Sequence, residues 1–182
     1  MKKLTLLLLL LSIATMAQNK FELTPDGFKA DGQNFMVVDI PNNTAAQLFN
    51  KVKLHLTAAY KSSKDVMSTV DNEMITINAI QRNVIRRTGM HVFDMNYNVT
   101  IRFKDDKIRF DAPTFKLTTF TTKSQTLHLV WTGLSLDGSD LGIYGKNDKL
   151  KSEMAKQDLE RFFNTLITEI TEACKNDKNN DW

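Results

Sequence analysis

The stretch VTIRFKDDKIRF, Val99 to Phe110, reads almost the same from either side of its central aspartates. Upstream, His91, Phe93, Met95, Tyr97, Val99, Ile101 and Phe103 alternate with Val92, Asp94, Asn96, Asn98, Thr100 and Arg102. A period of two held this long predicts an antiparallel strand with one face on a core and one toward water. With Asp105-Asp106 as a two-residue turn, Phe103 is expected opposite Ile108, Arg102 opposite Arg109, and Ile101 opposite Phe110. A turn this tight prefers glycine second, so Asp106 is expected in a left-handed conformation at a cost of about 1 kcal/mol.

Working outward, the apolar phase slips by one after Pro113, from Ile108, Phe110 and Ala112 to Phe115 and Leu117, which predicts a bulge that bends the sheet. Further strands are expected at Asn34–Ile40, Val66–Val70 and Ile75–Ala79, and in LHLVWTGL with Leu127, Leu129 and Trp131 on one face. FELTPDGFKADG reads as a bent extended ribbon around Pro25-Asp26-Gly27. Four of the seven glycines fall within 133–145, which reads as a loop.

Two helices complete the pattern. The first, capped by Asn43 or Thr44, carries its stripe on Ala45, Leu48, Phe49, Val52, Leu56, Ala59 and Tyr60, with Lys51, Lys53 and Lys61 on a solvated outer face. The second is expected over Asp148–Cys174, its stripe running through Ala155, Leu159, Phe162, Phe163, Leu166, Ile167, Ile170, Ala173 and Cys174. The expected architecture is α+β: a two-layer domain in which two helices bury one face of a curved antiparallel sheet.

Three stretches, FELTPDGF, VVDIPNNTAAQLFNKVKLHL and NYNVTIRFKDDKIRF, together resemble the exported bacterial domain-of-unknown-function family with a TATA-box-binding-protein-like (TBP-like) fold. The resemblance covers about 21–120. Leu48-Phe49-Asn50 stands where that family has a Leu-Tyr-Asn-like helix start. Lys104 to Arg109 stands in place of its Lys-Asp-Gly-Arg-Tyr-Arg-like hairpin, with Asp106 for glycine. The resemblance implies a curved antiparallel sheet backed by helices and no established activity; a fold name does not confer DNA binding.

The first residues suggest an address. Lys2 and Lys3 precede an apolar run of thirteen residues, Leu4 to Met16, and small residues Thr15 and Ala17 stand before Gln18. This is the pattern of a secretory signal peptide over 1–17, too short to span a membrane, and no cysteine near the cut offers a lipid anchor. Periplasmic or extracellular export is therefore expected, with no transmembrane segment after cleavage. A single domain is expected over 18–175, its C-terminal strand and long helix within 126–175, and 176–182 as a disordered tail.

The whole chain has 24 basic and 21 acidic side chains; without Lys2 and Lys3 the count is 22 against 21. Near-neutrality argues against a nucleic-acid partner. The one cysteine, Cys174, excludes an internal disulfide and is expected to be a buried, inert thiol.

Motifs of catalysis are thin. GSDLGIYGKN has Asp140 where a phosphate loop needs its first glycine, and Asn147 where it needs a hydroxyl. Asp137 to Asp140 lacks the ligand spacing of a calcium loop. His55, His91 and His128 are scattered and show no acidic partner spacing. No cofactor, metal or catalytic residue is implied.

The water-facing sheet surface is the candidate. Thr76, Asn78, Asn96, Asn98 and Thr100 are expected to form an amide and hydroxyl field, with Arg102, Lys104, Lys107 and Arg109 on one face at its end. Like charges opposite one another do not help a sheet, so these four cations are the candidate binding residues for an acidic protein or an anionic envelope ligand. The leading reading is a non-catalytic exported binding module. The alternatives are a hydrolase whose site is assembled from dispersed residues, and an envelope structural protein that self-associates through sheet edges.

Overall fold

The structure is a computed structural model and describes residues 19–120 and 124–175. The expected signal peptide at 1–17 and tail at 176–182 lie outside the described residues. The elements are β1 (Glu22–Thr24), β2 (Gly27–Lys29), β3 (Phe35–Asp39), α1 (Ala45–Ala59), α2 (Ser63–Val66, one turn), β4 (Met67–Val70), β5 (Met74–Arg86), β6 (Val92–Lys104), β7 (Lys107–Asp111), β8 (Thr114–Phe120), β9 (Ser124–Val130), β10 (Asp140–Tyr144) and α3 (Glu153–Lys175).

The long alternation becomes β6, the centre of the sheet. Phe93, Met95, Tyr97, Val99, Ile101 and Phe103 all face the core. The hairpin to β7 has the expected register residue for residue: Phe103 opposite Ile108, Arg102 opposite Arg109, Ile101 opposite Phe110. Asp106 is left-handed, with φ 63°.

The bulge is present and does more than bend the chain. β6 pairs Ile101 with Phe110 and then Asn98 with Thr114, so Val99 and Thr100 face the three residues Asp111 to Pro113. The extra residue moves the buried side chains from Ile108 and Phe110 to Pro113 and Leu117. β7 and β8 thus share one edge of β6, and the sheet forks: β3 pairs with β7, and β9 pairs with β8. All pairings are antiparallel except that of β9 with β10.

α1 and α3 cover the same face. α1 starts at a capping box in which the Thr44 side chain and the Gln47 side chain each bond the other's backbone N–H, and it buries Leu48, Phe49, Val52 and Leu56. α3 buries Ala155, Leu159, Phe163, Ile167, Ile170 and Cys174. Phe163 meets Phe28 edge-on at 5.1 Å and Tyr97 at 5.7 Å, joining helix, ribbon and sheet in one cluster. The β1–β2 ribbon is fastened to α3 through the Asn164 amide, which accepts from the Phe21 N–H and donates to the Phe21 carbonyl, both at 2.9 Å.

Four expectations need correction. The strand at Ile75–Ala79 extends as β5 to Arg86, across a register shift between Gln81 and Ile85 where Asn83 turns left-handed and its N–H finds the Asp94 carboxylate at 2.8 Å. Val66 belongs to α2, not β4. The glycine-rich loop at 133–145 contains β10, which runs parallel to β9, and Trp131 lies just past the end of β9. The last helix begins at Glu153 rather than Asp148. The chain from Lys146 to Asp148 is spent on a tight turn with Asn147 and Asp148 left-handed, and the Ser152 hydroxyl accepts from the Ala155 N–H to start the helix.

Candidate functional site

The four predicted cations come together on the outward face of the β6–β7 hairpin, all exposed. Between the arginines stands Asp111. Its two carboxylate oxygens accept from Arg102 Nε at 2.9 Å and from Arg109 Nε at 2.7 Å. The Arg109 guanidinium also lies over the Phe35 ring, 4.1 Å from its centre. Both guanidinium groups are therefore oriented, yet their terminal nitrogens make no hydrogen bond among the described residues. Lys104 and Lys107 stand opposite each other one row further toward the turn.

The turn aspartates bond the start of α1 instead of these cations. Asp105 Oδ1 accepts from the Ala45 N–H at 2.8 Å, and Asp106 Oδ1 from the Asn43 N–H at 3.3 Å. Backbone bonds from Ile40 N to Asp106 O and from Asp106 N to Asn43 O close the join. Two carboxylates thus sit at the N-terminus of α1, where unpaired N–H groups and the helix dipole favour negative charge. Both turn carboxylates are bonded to the start of the helix, and among the described residues neither forms an ion pair with the four cations.

Across five strands the two arginines lie in a defined row. Val70 pairs with Met74, Met74 with Arg102, Arg102 with Arg109, and Arg109 with Val37. A shallow groove of about 280 Å³ opens here, lined by Phe35, Val37, Arg102, Phe103, Lys104, Lys107 and Arg109. The next rows carry the expected polar field. Thr76 and Thr100 join hydroxyls at 3.3 Å, and the Asn98 amide donates to Asn78 at 2.6 Å.

On the helix side a cleft of about 460 Å³ separates α1 from α3, with His55, Tyr60, Tyr97, Asp158, Arg161 and Glu169 among its lining. Its ionisable groups are largely engaged with each other. Tyr60 and Tyr97 share a hydroxyl–hydroxyl bond of 2.8 Å, and burial pushes both phenols up, so they stay protonated. Asp158, 3% exposed, accepts from Arg86 Nε at 2.8 Å and from an Arg86 terminal nitrogen at 2.7 Å. It also takes the Arg86 backbone N–H at 3.0 Å and an ion pair from Arg161. This buried carboxylate was detectable in the sequence: an acid three residues after Ala155 falls on the apolar stripe of α3.

The reading of the histidines needs one correction. His128 Nε2 lies 2.6 Å from Asp140 Oδ1, because the parallel pairing of β10 with β9 brings together residues twelve apart. The His128 ring stacks on Trp131 at 4.9 Å, and hydrogen bonds from His128 and then Ser139 hold the Asp140 carboxyl below its usual range. The Ser139 hydroxyl donates to Asp140 rather than facing the imidazole, so the three do not form a nucleophile–base relay. Lys51 is not simply solvated either; its ammonium donates to Asn43 Oδ1 at 2.9 Å and to the Cys174 carbonyl at 3.2 Å. Cys174 is buried as expected, and burial pushes its thiol up to about 11.

Residues 35–118 match the model of DUF4468, a domain of unknown function with a TBP-like fold. No curated protein matches the chain. Two crystal structures are similar in fold. One is a TBP-like protein from Parabacteroides distasonis, 12% identical, with a TM-score of 0.56 over 78% of this chain and 91% of that one. The other is a DUF4468 family protein from Bacteroides ovatus, 15% identical, with a TM-score of 0.53 over 80% of this chain and 86% of that one. The matched segment runs from β3 to the middle of β8 and so contains the cationic hairpin and its polar rows; by that match and that fold, residues 35–118 form a DUF4468 domain and the chain has a TBP-like fold.

Proposed function

We propose that this protein is an exported, non-catalytic binding module that holds an acidic protein or an anionic envelope ligand on its outward sheet face, led by Arg102, Lys104, Lys107 and Arg109. The observation that carries this reading is the way Asp111 engages both arginines. It takes only the Nε–H of each, which fixes the side chains and leaves their terminal N–H groups for an incoming carboxylate, sulfate or phosphate. Asp39 stands opposite Lys107 and the turn aspartates lie beside the lysines, so what the corner offers is the unpaired, oriented N–H groups of its two arginines and not an excess of net charge. No helix among the described residues is long and apolar enough to cross a membrane.

The test is capture from native envelope extract with wild-type protein and with an Arg102→Thr/Arg109→Thr variant. Capture of an acidic component by wild type, weakened by added salt and by the variant, supports the reading. Equal capture by both at low salt rejects it. N-terminal sequencing of natively exported material is expected to start at Gln18; recovery of Met1 would reject export.

A further inference from the structure

We infer that the cationic corner takes a single anionic amphiphile: one phosphate, sulfate or carboxylate head on a short apolar body. The inference rests on the binding role proposed above and names its ligand class. Outward positions of a half-exposed antiparallel sheet are ordinarily polar. Here that pattern breaks beside the arginines. In the row Val70–Met74–Arg102–Arg109–Val37, the two guanidinium groups are flanked on both sides by apolar residues, with Val37 40% and Val70 46% exposed.

The groove repeats the same combination in three dimensions. Phe35, Val37 and the methylene stems of Arg102, Arg109, Lys104 and Lys107 are apolar, and the charged heads rim them. Its volume of about 280 Å³ equals that of roughly nine waters, at the small end for ligand pockets. A flat acidic protein surface would use the charges and leave that concavity unfilled. An inorganic anion would use the arginines and leave Val37 and Phe35 in water. An amphiphile uses both, and Asp111 together with the Phe35 ring has already fixed the two guanidinium groups that would hold its head.

The probe is octyl phosphate, titrated calorimetrically against the whole exported chain at low salt, beside octanol, inorganic phosphate, octyltrimethylammonium and vesicles of anionic phospholipid. Octyl phosphate is expected to bind at least tenfold more tightly than octanol, phosphate or the ammonium. Arg102→Thr/Arg109→Thr and, separately, Val37→Ser are each expected to weaken it about tenfold or more, with circular dichroism unchanged. Octanol or phosphate binding as well as octyl phosphate overturns the inference, as does undiminished binding by either folded variant, or binding to vesicles without binding to octyl phosphate. If octyl phosphate fails while the arginine variant still loses an acidic component from envelope extract, the ligand class falls and the binding role stands. If the variant loses nothing in either assay, both fall.

Discussion

Asp158 and Asp111 each sit between two arginines, one on the helix side of the sheet and one on its outward side. Asp158 is buried and takes three bonds from Arg86 alone, including its backbone N–H, so it pins α3 to the end of β5. Asp111 is a quarter exposed and takes one bond from each partner, both from β6–β7 itself. A buried carboxylate must have every lone pair matched, whereas an exposed one can leave charge over. The contrast lies between Arg86, bound by one buried carboxylate through its backbone N–H and two guanidinium nitrogens, and the outward pair Arg102 and Arg109, each held by a single bond with its terminal nitrogens left available.

The comparison can be broken from its strongest end. Phe163→Ala removes the ring shared by ribbon, helix and sheet and is expected to lower stability by roughly 3–5 kcal/mol, read by denaturant unfolding. An unchanged midpoint would mean α3 is detachable and the helix side is not the structural one. Asp158→Ala is expected to cost roughly 2–3 kcal/mol, because it strips the Arg86 N–H and guanidinium of their acceptor while leaving Arg86 partly solvated. A loss under about 0.5 kcal/mol would put Asp158 in the same class as Asp111.

Acid sharpens the same contrast. Burial by itself raises the Asp158 carboxyl, and the hydrogen bonds from Arg86 reverse this and hold it below the usual range. A carboxyl depressed in the folded state contributes stability that is complete above its unfolded pKa of about 3.9 and lost as pH falls through the folded value. The stability gap between wild type and Asp158→Asn should therefore be widest above pH ~5 and shrink on acidification. A gap that stays constant down to pH ~2 would contradict the assignment. The smallest effect is expected on the outward face, where Arg102→Thr/Arg109→Thr should change stability by no more than about 0.5 kcal/mol. A loss above about 2 kcal/mol would show that Asp111 holds a structural cluster after all.

The hairpin, its register and its left-handed Asp106 were legible because all three depend on neighbours in the chain. The four cations followed from the same alternation, since a period of two fixes their face. What stayed hidden depends on partners far away in sequence. Asp105 and Asp106 look like turn residues or counter-charges until the start of α1, some sixty residues earlier, is placed against them. Asn83 interrupts the alternation of β5, and only the Asp94 carboxylate on the facing strand shows that the strand continues. Gly142 made β10 look like loop. In place, a Cβ there would stand 2.4 Å from the Tyr144 carbonyl and 2.9 Å from the Trp131 Cβ, so the glycine marks a close approach inside a strand. With β10 unseen, the His128–Asp140 pair could not be foreseen either.

The extra residue between Phe110 and Thr114 shifts the numbering of the buried side chains while leaving their face unchanged. Before it, even-numbered residues such as Ile108 and Phe110 are buried; after it, odd-numbered ones such as Pro113, Leu117 and Thr119 are. Removing Ala112 would leave two residues, Asp111 and Pro113, opposite Thr100 and Val99; Asn98 would still face Thr114 and Met95 still face Leu117, so the buried set would be kept and only the bulge would go. Inserting a second would place two extra residues opposite Val99 and Thr100, which a wider bulge has to accommodate. In this segment the residue count therefore sets the shape of the sheet and not its sides: the spare residue gives the chain the slack with which β7 leaves β6 and β8 takes its place, at the point where the two branches of the fork part.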